Sequence, residues 1–163
     1  MYKSYKKEDW LKYLKLKEEE VPKGLIIFGA QVAPKRIKRW EKKLHNSKKP
    51  YWNLVCGSYK GTKVGMTIVY GGAAVSEPAH IFSILGVKLI IQTGYFGALQ
   101  KDMRVGDFFI PKVMEREDGV SDLYLDRNIQ ADSSKAVNNL LVNECSKRNK
   151  KYYTGHGITF PQC

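Results

Sequence analysis

The stretch KLIIQTGYFGALQKDMRVGDFFIPKVMEREDG, Lys88–Gly119, decides the fold. Its apolar, β-rich run Leu89-Ile90-Ile91 leads into Thr93-Gly94-Tyr95-Phe96-Gly97-Ala98. A second run, Asp107-Phe108-Phe109-Ile110-Pro111, follows the turn Val105-Gly106. Strand, glycine turn, short loop and new strand is the way an α/β sheet exposes backbone N–H groups at the carboxyl end of a strand. Ligands collect there because the turn glycines let them approach the main chain.

On the amino-terminal side, two runs near Tyr51–Tyr59 and Lys63–Tyr70 flank Lys60-Gly61-Thr62 and read as a hairpin. The second of them enters Gly71-Gly72-Ala73-Ala74-Val75-Ser76 and then a helix over about Glu77–Leu85. Small residues there suit close approach of a sugar or anion to a helix amino terminus, and equally suit helix–sheet packing. Earlier still, Leu25-Ile26-Ile27-Phe28 reads as a short buried strand ending in the turn Gly29-Ala30-Gln31-Val32-Ala33-Pro34. Residues 7–20 form one amphipathic helix by the stripe Trp10, Leu11, Leu14, and 34–44 another by Ile37, Trp40, Leu44. His45–Pro50 reads as a polar loop carrying a surface histidine. His80, inside the helix that starts at Glu77, reads as a core or interface histidine.

On the carboxyl side, Val120–Gln130 is an irregular polar excursion. Residues 133–148 form a helix capped by Asp132 or Ser133, and a final strand begins near Tyr152. No repeat or linker divides the chain. The expectation is one domain over 1–163, with the helix of residues 1–20 packed on it.

Composition narrows the class. With 163 residues and 43% apolar content the chain can bury a core. No apolar run approaches the roughly 20 residues that span a bilayer. The start MYKSYKKEDW lacks the apolar centre of a secretory signal, so a cytoplasmic protein is expected. Cys56, Cys145 and Cys163 show no disulfide or zinc spacing, and neither a metal nor a cofactor is expected. The net charge of +12 is uneven. Residues 1–63 hold 17 Lys and Arg against 6 Asp and Glu, or +11, which leaves +1 for the remainder. Lysines at helical spacing read as a solvated coat, so nucleic acid is not an expected partner.

Three motifs in order carry a resemblance: TG-x-x-GAL at Thr93–Leu99, VGD at Val105–Asp107 with its apolar run, and R-x-DG-x-S-x-x-Y at Arg116, Asp118, Gly119, Ser121 and Tyr124. Together they resemble the nucleoside phosphorylases, specifically the uridine phosphorylase-like branch, from about Val21 onward. The resemblance implies a three-layer α/β/α fold with a mixed central sheet. It implies reversible phosphorolysis of the N-glycosidic bond of a purine or pyrimidine nucleoside, giving free base and ribose 1-phosphate. Inorganic phosphate is then a co-substrate, and a homo-oligomer, either a dimer or a trimer of dimers, is implied. Nucleoside hydrolysis on the same fold and a non-catalytic paralogue with a remodelled site are the alternatives.

Such chemistry passes through a sugar cation-like transition state. Phosphate must be held by arginine and backbone amides, a carboxylate must grip the ribose hydroxyls, and the departing base must be hydrogen-bonded. By the resemblance, the phosphate set falls on Gly29, Gln92 and Tyr95, and the nucleoside set on Gly71, Gly72, Gly94, Tyr95, Phe96, Gly97 and Phe160. Two of these positions depart from the family pattern. Gln92 stands where the family has its phosphate-binding arginine, and Tyr95 where it has a small hydroxyl residue. Lys35 or Arg36 is then the substitute cation, although Pro34 also simply suits the first turn of a helix. The family's Met-Glu ribose motif and base-contacting groups lie beyond the position corresponding to Cys163. A chain catalytically incomplete by itself is therefore expected.

Overall fold

A computed structural model of the chain describes residues 4–31 and 34–159. The contacts divide it into two compact units, residues 1–95 and 96–163.

The first unit is built on β1 (Gly24–Gly29), β2 (His45–Tyr51), β3 (Leu54–Tyr59), β4 (Thr62–Val69) and β5 (Leu89–Gly94). They form one mixed sheet in the order β2-β3-β4-β1-β5. β1 lies parallel to both β4 and β5, whereas β2, β3 and β4 run antiparallel in sequence. Alternation along β1 sends Leu25 and Ile27 to one face and Ile26 and Phe28 to the other. On the first face they join Trp10 and Leu14 of α1 (Lys7–Leu14) and Ile81 and Phe82 of α3 (Ser76–Ile84). On the second face, Val55, Met66 and Ile68 pack with Ile37 of α2 (Pro34–Glu41). Helices thus cover both sides of a mixed sheet, which is the expected α/β class and layering.

The second unit is a three-stranded sheet in the order β7-β6-β8, from β6 (Phe108–Arg116), β7 (Ala131–Asp132) and β8 (Tyr152–Thr159). β8 runs parallel to β6 and β7 antiparallel to it. The parallel pair needs a crossover, and α4 (Lys135–Lys147) supplies it.

Several local expectations need correction. His45–Pro50 is no loop but part of β2, a strand at the sheet edge that pairs, among the described residues, with β3 alone. An edge strand has one paired side and needs no apolar alternation, so Lys48, Lys49 and Pro50 fit there while hiding the strand signal. The amphipathic helix expected over 7–20 stops at Leu14, because Lys15 adopts a left-handed φ of 52°. Leu16 is still buried against Trp10 and Leu14, so the apolar stripe is real although the helix is shorter. The helix expected to reach Leu44 ends at Glu41. The cap of α4 is Ser134, whose hydroxyl accepts from the Val137 amide. Ser133 instead donates its hydroxyl to the Pro111 carbonyl at 2.7 Å, tying the helix start to β6.

Candidate functional site

The three parallel strands of the first unit end level with one another: Gly29 pairs with Val69 on one side and Gly94 on the other. Crevices outside the carboxyl ends of such strands are where open α/β sheets bind ligands. Gly94 is glycine for a steric reason. A Cβ there would lie 2.8 Å from the Gly29 carbonyl oxygen, so the two strand ends approach as closely as they do only without one. Gly71, just past β4, has a φ of +87°, which turns the chain sharply as it leaves the sheet. Gly72 then precedes the short 3-10 turn Ala73–Val75, which runs directly into α3. The hydroxyl of Ser76 donates to the Ala73 carbonyl at 2.7 Å. The Ala30 amide donates to the Val69 carbonyl at 2.9 Å, extending the β1–β4 ladder by one residue.

Above these ends sits a cluster of three side chains. The Arg36 guanidinium, from the first turn of α2, lies 4.1 Å from the centroid of the Phe28 ring. It also donates to the Tyr95 hydroxyl at 3.2 Å. The Tyr95 ring meets Phe28 edge to face, with centroids 5.7 Å apart and planes at 87°. A cation stacked on one ring and hydrogen-bonded to a second is held in a narrow range of positions. A guanidinium has five donors, so one bond to Tyr95 leaves it capacity to grip an anion.

The sequence-predicted phosphate residues divide between the two faces of the sheet. Tyr95 belongs to the α2 face through Phe28. Gln92 pairs with Ile27 and follows Ile90, and both of those pack on the α1 and α3 face. Tyr95 follows the last residue of β5, Gly94, so its face is set by its contact with Phe28 and not by alternation along the strand. Gly29, Gly94, Tyr95 and Arg36 therefore come together, with Gly71 and Gly72 following the neighbouring strand, and Gln92 lies across the sheet from Tyr95 and Arg36. Phe96 and Gly97 belong to the second unit, where the Phe96 ring packs on Phe109 at 5.5 Å. Phe160 lies outside the described residues. Phe28 is the participant that sequence reading passed over. Its only signal was an aromatic side chain ending an otherwise aliphatic strand.

In the second unit the R-x-DG-x-S-x-x-Y motif organises a loop. Arg116 donates to the Ser121 hydroxyl, to the carbonyls of Leu125, Asp126 and Ile129, and to the Asp122 carboxylate, all between 2.7 and 3.1 Å. Asp118 accepts from the amides of Val120 and Ser121 at 2.8 and 2.7 Å, around the turn that Gly119 makes at a φ of +72°. Burial pushes the Asp118 carboxyl up, but those amide bonds and Arg116 outweigh it and hold the group below its ordinary value. Among the described residues, no group of three or more His, Cys, Asp or Glu could hold a metal ion. No helix among the described residues is long and apolar enough to cross a membrane.

A family model described as the phosphorylase superfamily matches residues 25–162. The chain belongs to that superfamily. A curated relative, the uridine phosphorylase of Thermococcus kodakarensis, is 22% identical over 151 residues, covering 91% of this chain and 54% of that protein. The chain thus spans about half the length of the curated relative it matches. Two crystal structures of uridine phosphorylase from Vibrio fischeri, one of them complexed with 6-hydroxy-1-naphthoic acid, have TM-scores of 0.79 and 0.78 at 21% identity. Those matches cover 91% of this chain and 63% and 62% of the structures. Likeness at that identity speaks for the phosphorylase fold, and the β1, β4 and β5 ends with their glycines are the part of the fold on which the site stands.

Proposed function

We propose that this chain forms the phosphate and sugar side of a nucleoside phosphorylase site of the uridine phosphorylase-like kind. The observation that carries the reading is Arg36, stacked on Phe28 and bonded to Tyr95 beside the close approach of Gly29 and Gly94. In phosphorolysis a phosphate oxygen forms a bond to the anomeric carbon as the C–N bond breaks. The electron pair leaves with the base, which takes up a proton. Arg36 would hold the anion against the developing sugar cation, and the Tyr95 hydroxyl, which accepts from the guanidinium, would orient it and donate its own hydrogen to a sugar oxygen. Most of the rate would come from this positioning and charge complementarity.

A specific observation supports the alternative of hydrolysis. Gln92, neutral and on the far face from Tyr95, cannot give the second charged fork a phosphate would use. Phosphate dependence separates the two. With one guanidinium instead of two, phosphate should bind with a dissociation constant on the order of 1 mM by titration calorimetry. Arg36→Met should lose that binding, and Arg36→Lys should recover part of it. Unchanged phosphate affinity in Arg36→Met would remove the assignment. Nucleoside cleavage without any dependence on phosphate would transfer the reading to the hydrolases.

A further inference from the structure

The basic charge of residues 1–63 takes on a different meaning once the fold is known. Five aromatic rings form a continuous contact chain across α1 and the β2–β3 turn. Tyr5 meets Trp10 at 5.1 Å, Trp10 meets Tyr13 at 5.8 Å, Tyr13 meets Tyr51 at 6.2 Å, and Tyr51 meets Trp52 at 6.4 Å. Trp10 is buried in the core and anchors the chain. Beyond it the rings come out to solvent: Tyr13 is 53% exposed, Tyr51 46% and Trp52 57%. Beside them Leu14, Lys15, Leu16, Lys48, Lys49 and Pro50 line an open groove. The acidic groups nearby are Glu20, paired with Lys48, Glu18, paired with Lys7, Glu19 between them in the same 3-10 turn, and Glu8 and Asp9 in the first turn of α1. Lys15 and Lys49 belong to neither pair.

We infer that this surface, Tyr13, Tyr51 and Trp52 with Lys15, Lys48 and Lys49, binds single-stranded nucleic acid. Unpaired bases present faces that stack on exposed rings regardless of sequence, while the backbone phosphates follow the lysines. The core anchor through Trp10 holds the rings in place before binding, which lowers the ordering cost. The other occupants fit less well. A duplex keeps its base faces stacked inside. A second copy brings the same +11 of residues 1–63 against itself. A bilayer anchor buries aliphatic side chains alongside its aromatic ones. Here every large apolar side chain exposed among the described residues of the first unit is aromatic, except Leu89.

The test uses this chain and a fluorescent oligonucleotide of about 12 nucleotides, read by anisotropy. The single strand should bind more tightly than its duplex. With Lys48 paired to Glu20, the contacts of Lys15 and Lys49 predict a log–log salt slope of about −1.4, roughly a 7-fold loss between about 50 and 200 mM salt. Trp52→Ala and Tyr51→Ala should each weaken binding by roughly 5- to 100-fold. Lys49→Gln should make the slope shallower by about 0.7, a readout independent of the aromatic variants. Equal binding of duplex and single strand, with both aromatic variants unaffected, would overturn the inference. So would binding only to vesicles of phosphatidylserine and phosphatidylcholine, or a concentration-dependent dimer abolished by Trp52→Ala without any oligonucleotide binding.

Discussion

Replacing Arg116 by methionine tests how the second unit holds its longest irregular segment. The Arg116 side chain is 9% exposed and makes five hydrogen bonds, three of them to the backbone carbonyls of Leu125, Asp126 and Ile129. Methionine keeps much of the stem's apolar volume and removes every donor. Hydrogen bonds from a charged group contribute about 1.5–3 kcal/mol each in isolation, but five on one side chain do not add. Solvent can also reach several of the acceptors once the guanidinium is gone, and Asp122 keeps Arg127 at 2.7 Å. The expected cost is therefore about 3 kcal/mol, the lower end for breaking a buried charged pair. It should fall on residues 117–130 and much less on the sheet. Amide hydrogen exchange reads this directly: about 3 kcal/mol corresponds to roughly 100-fold faster opening. Tryptic cleavage at Arg127 should accelerate in parallel. Arg116→Lys should rescue only part, since one ammonium cannot span three carbonyls, a hydroxyl and a carboxylate. Exchange in 120–130 that is unchanged in Arg116→Met, or fully restored by lysine, would refute the idea that the planar fork organises the segment.

Two further substitutions probe the site and its neighbourhood. Gly94→Ala forces a Cβ to within 2.8 Å of the Gly29 carbonyl, so chemical denaturation should show a loss of about 1–3 kcal/mol. Gly97→Ala meets nothing within 4 Å and should stay within about 0.5 kcal/mol of the parent. Asp118 titrates below its ordinary value of 3.8 in the folded chain, so its contribution is complete above that pH and is lost as pH falls through the lower folded value. Protection of Val120 and Ser121, measured against their intrinsic exchange rates at each pH, should therefore fall in acid, and Asp118→Asn should flatten that pH dependence.

The fold was largely legible because its core strands are short, aliphatic and punctuated by glycine. Leu25–Phe28 is apolar on both faces, which is what a strand covered by helices on each side requires. Leu89–Ile91 shows the same composition although β5 lies at the sheet edge and Leu89 is exposed. β2 was not legible for the converse reason. At the sheet edge, Lys48, Lys49 and Pro50 are under no pressure to alternate, and the pattern that announces a strand never forms. The end of α1 escaped for a subtler reason. Lys15 turns left-handed without being glycine or asparagine, so nothing local marks the stop, and Leu16 continues the apolar stripe beyond it.

The candidate site was legible as a set of glycines but not as a set of side chains, and the difference is geometric. Glycine positions are fixed by the main chain, so the turn after each parallel strand can be read from spacing alone. That Gly94 faces the Gly29 carbonyl depends on strand order and register, and only the structure shows it. Side-chain partnership depends on which face of the sheet each residue takes. Gln92 and Tyr95, assigned together by motif, lie on opposite faces: Gln92 through its pairing with Ile27 inside β5, Tyr95, just past the strand, through its contact with Phe28. That contact sets Tyr95, through α2, beside Arg36, although 59 residues separate Arg36 from Tyr95 in the chain. A guanidinium thus reaches the strand ends from a different element, α2. Had Tyr95 been a small residue, its hydroxyl would have stayed near the backbone, out of reach of that guanidinium. The phenol instead extends the hydroxyl outward to within 3.2 Å of the Arg36 guanidinium.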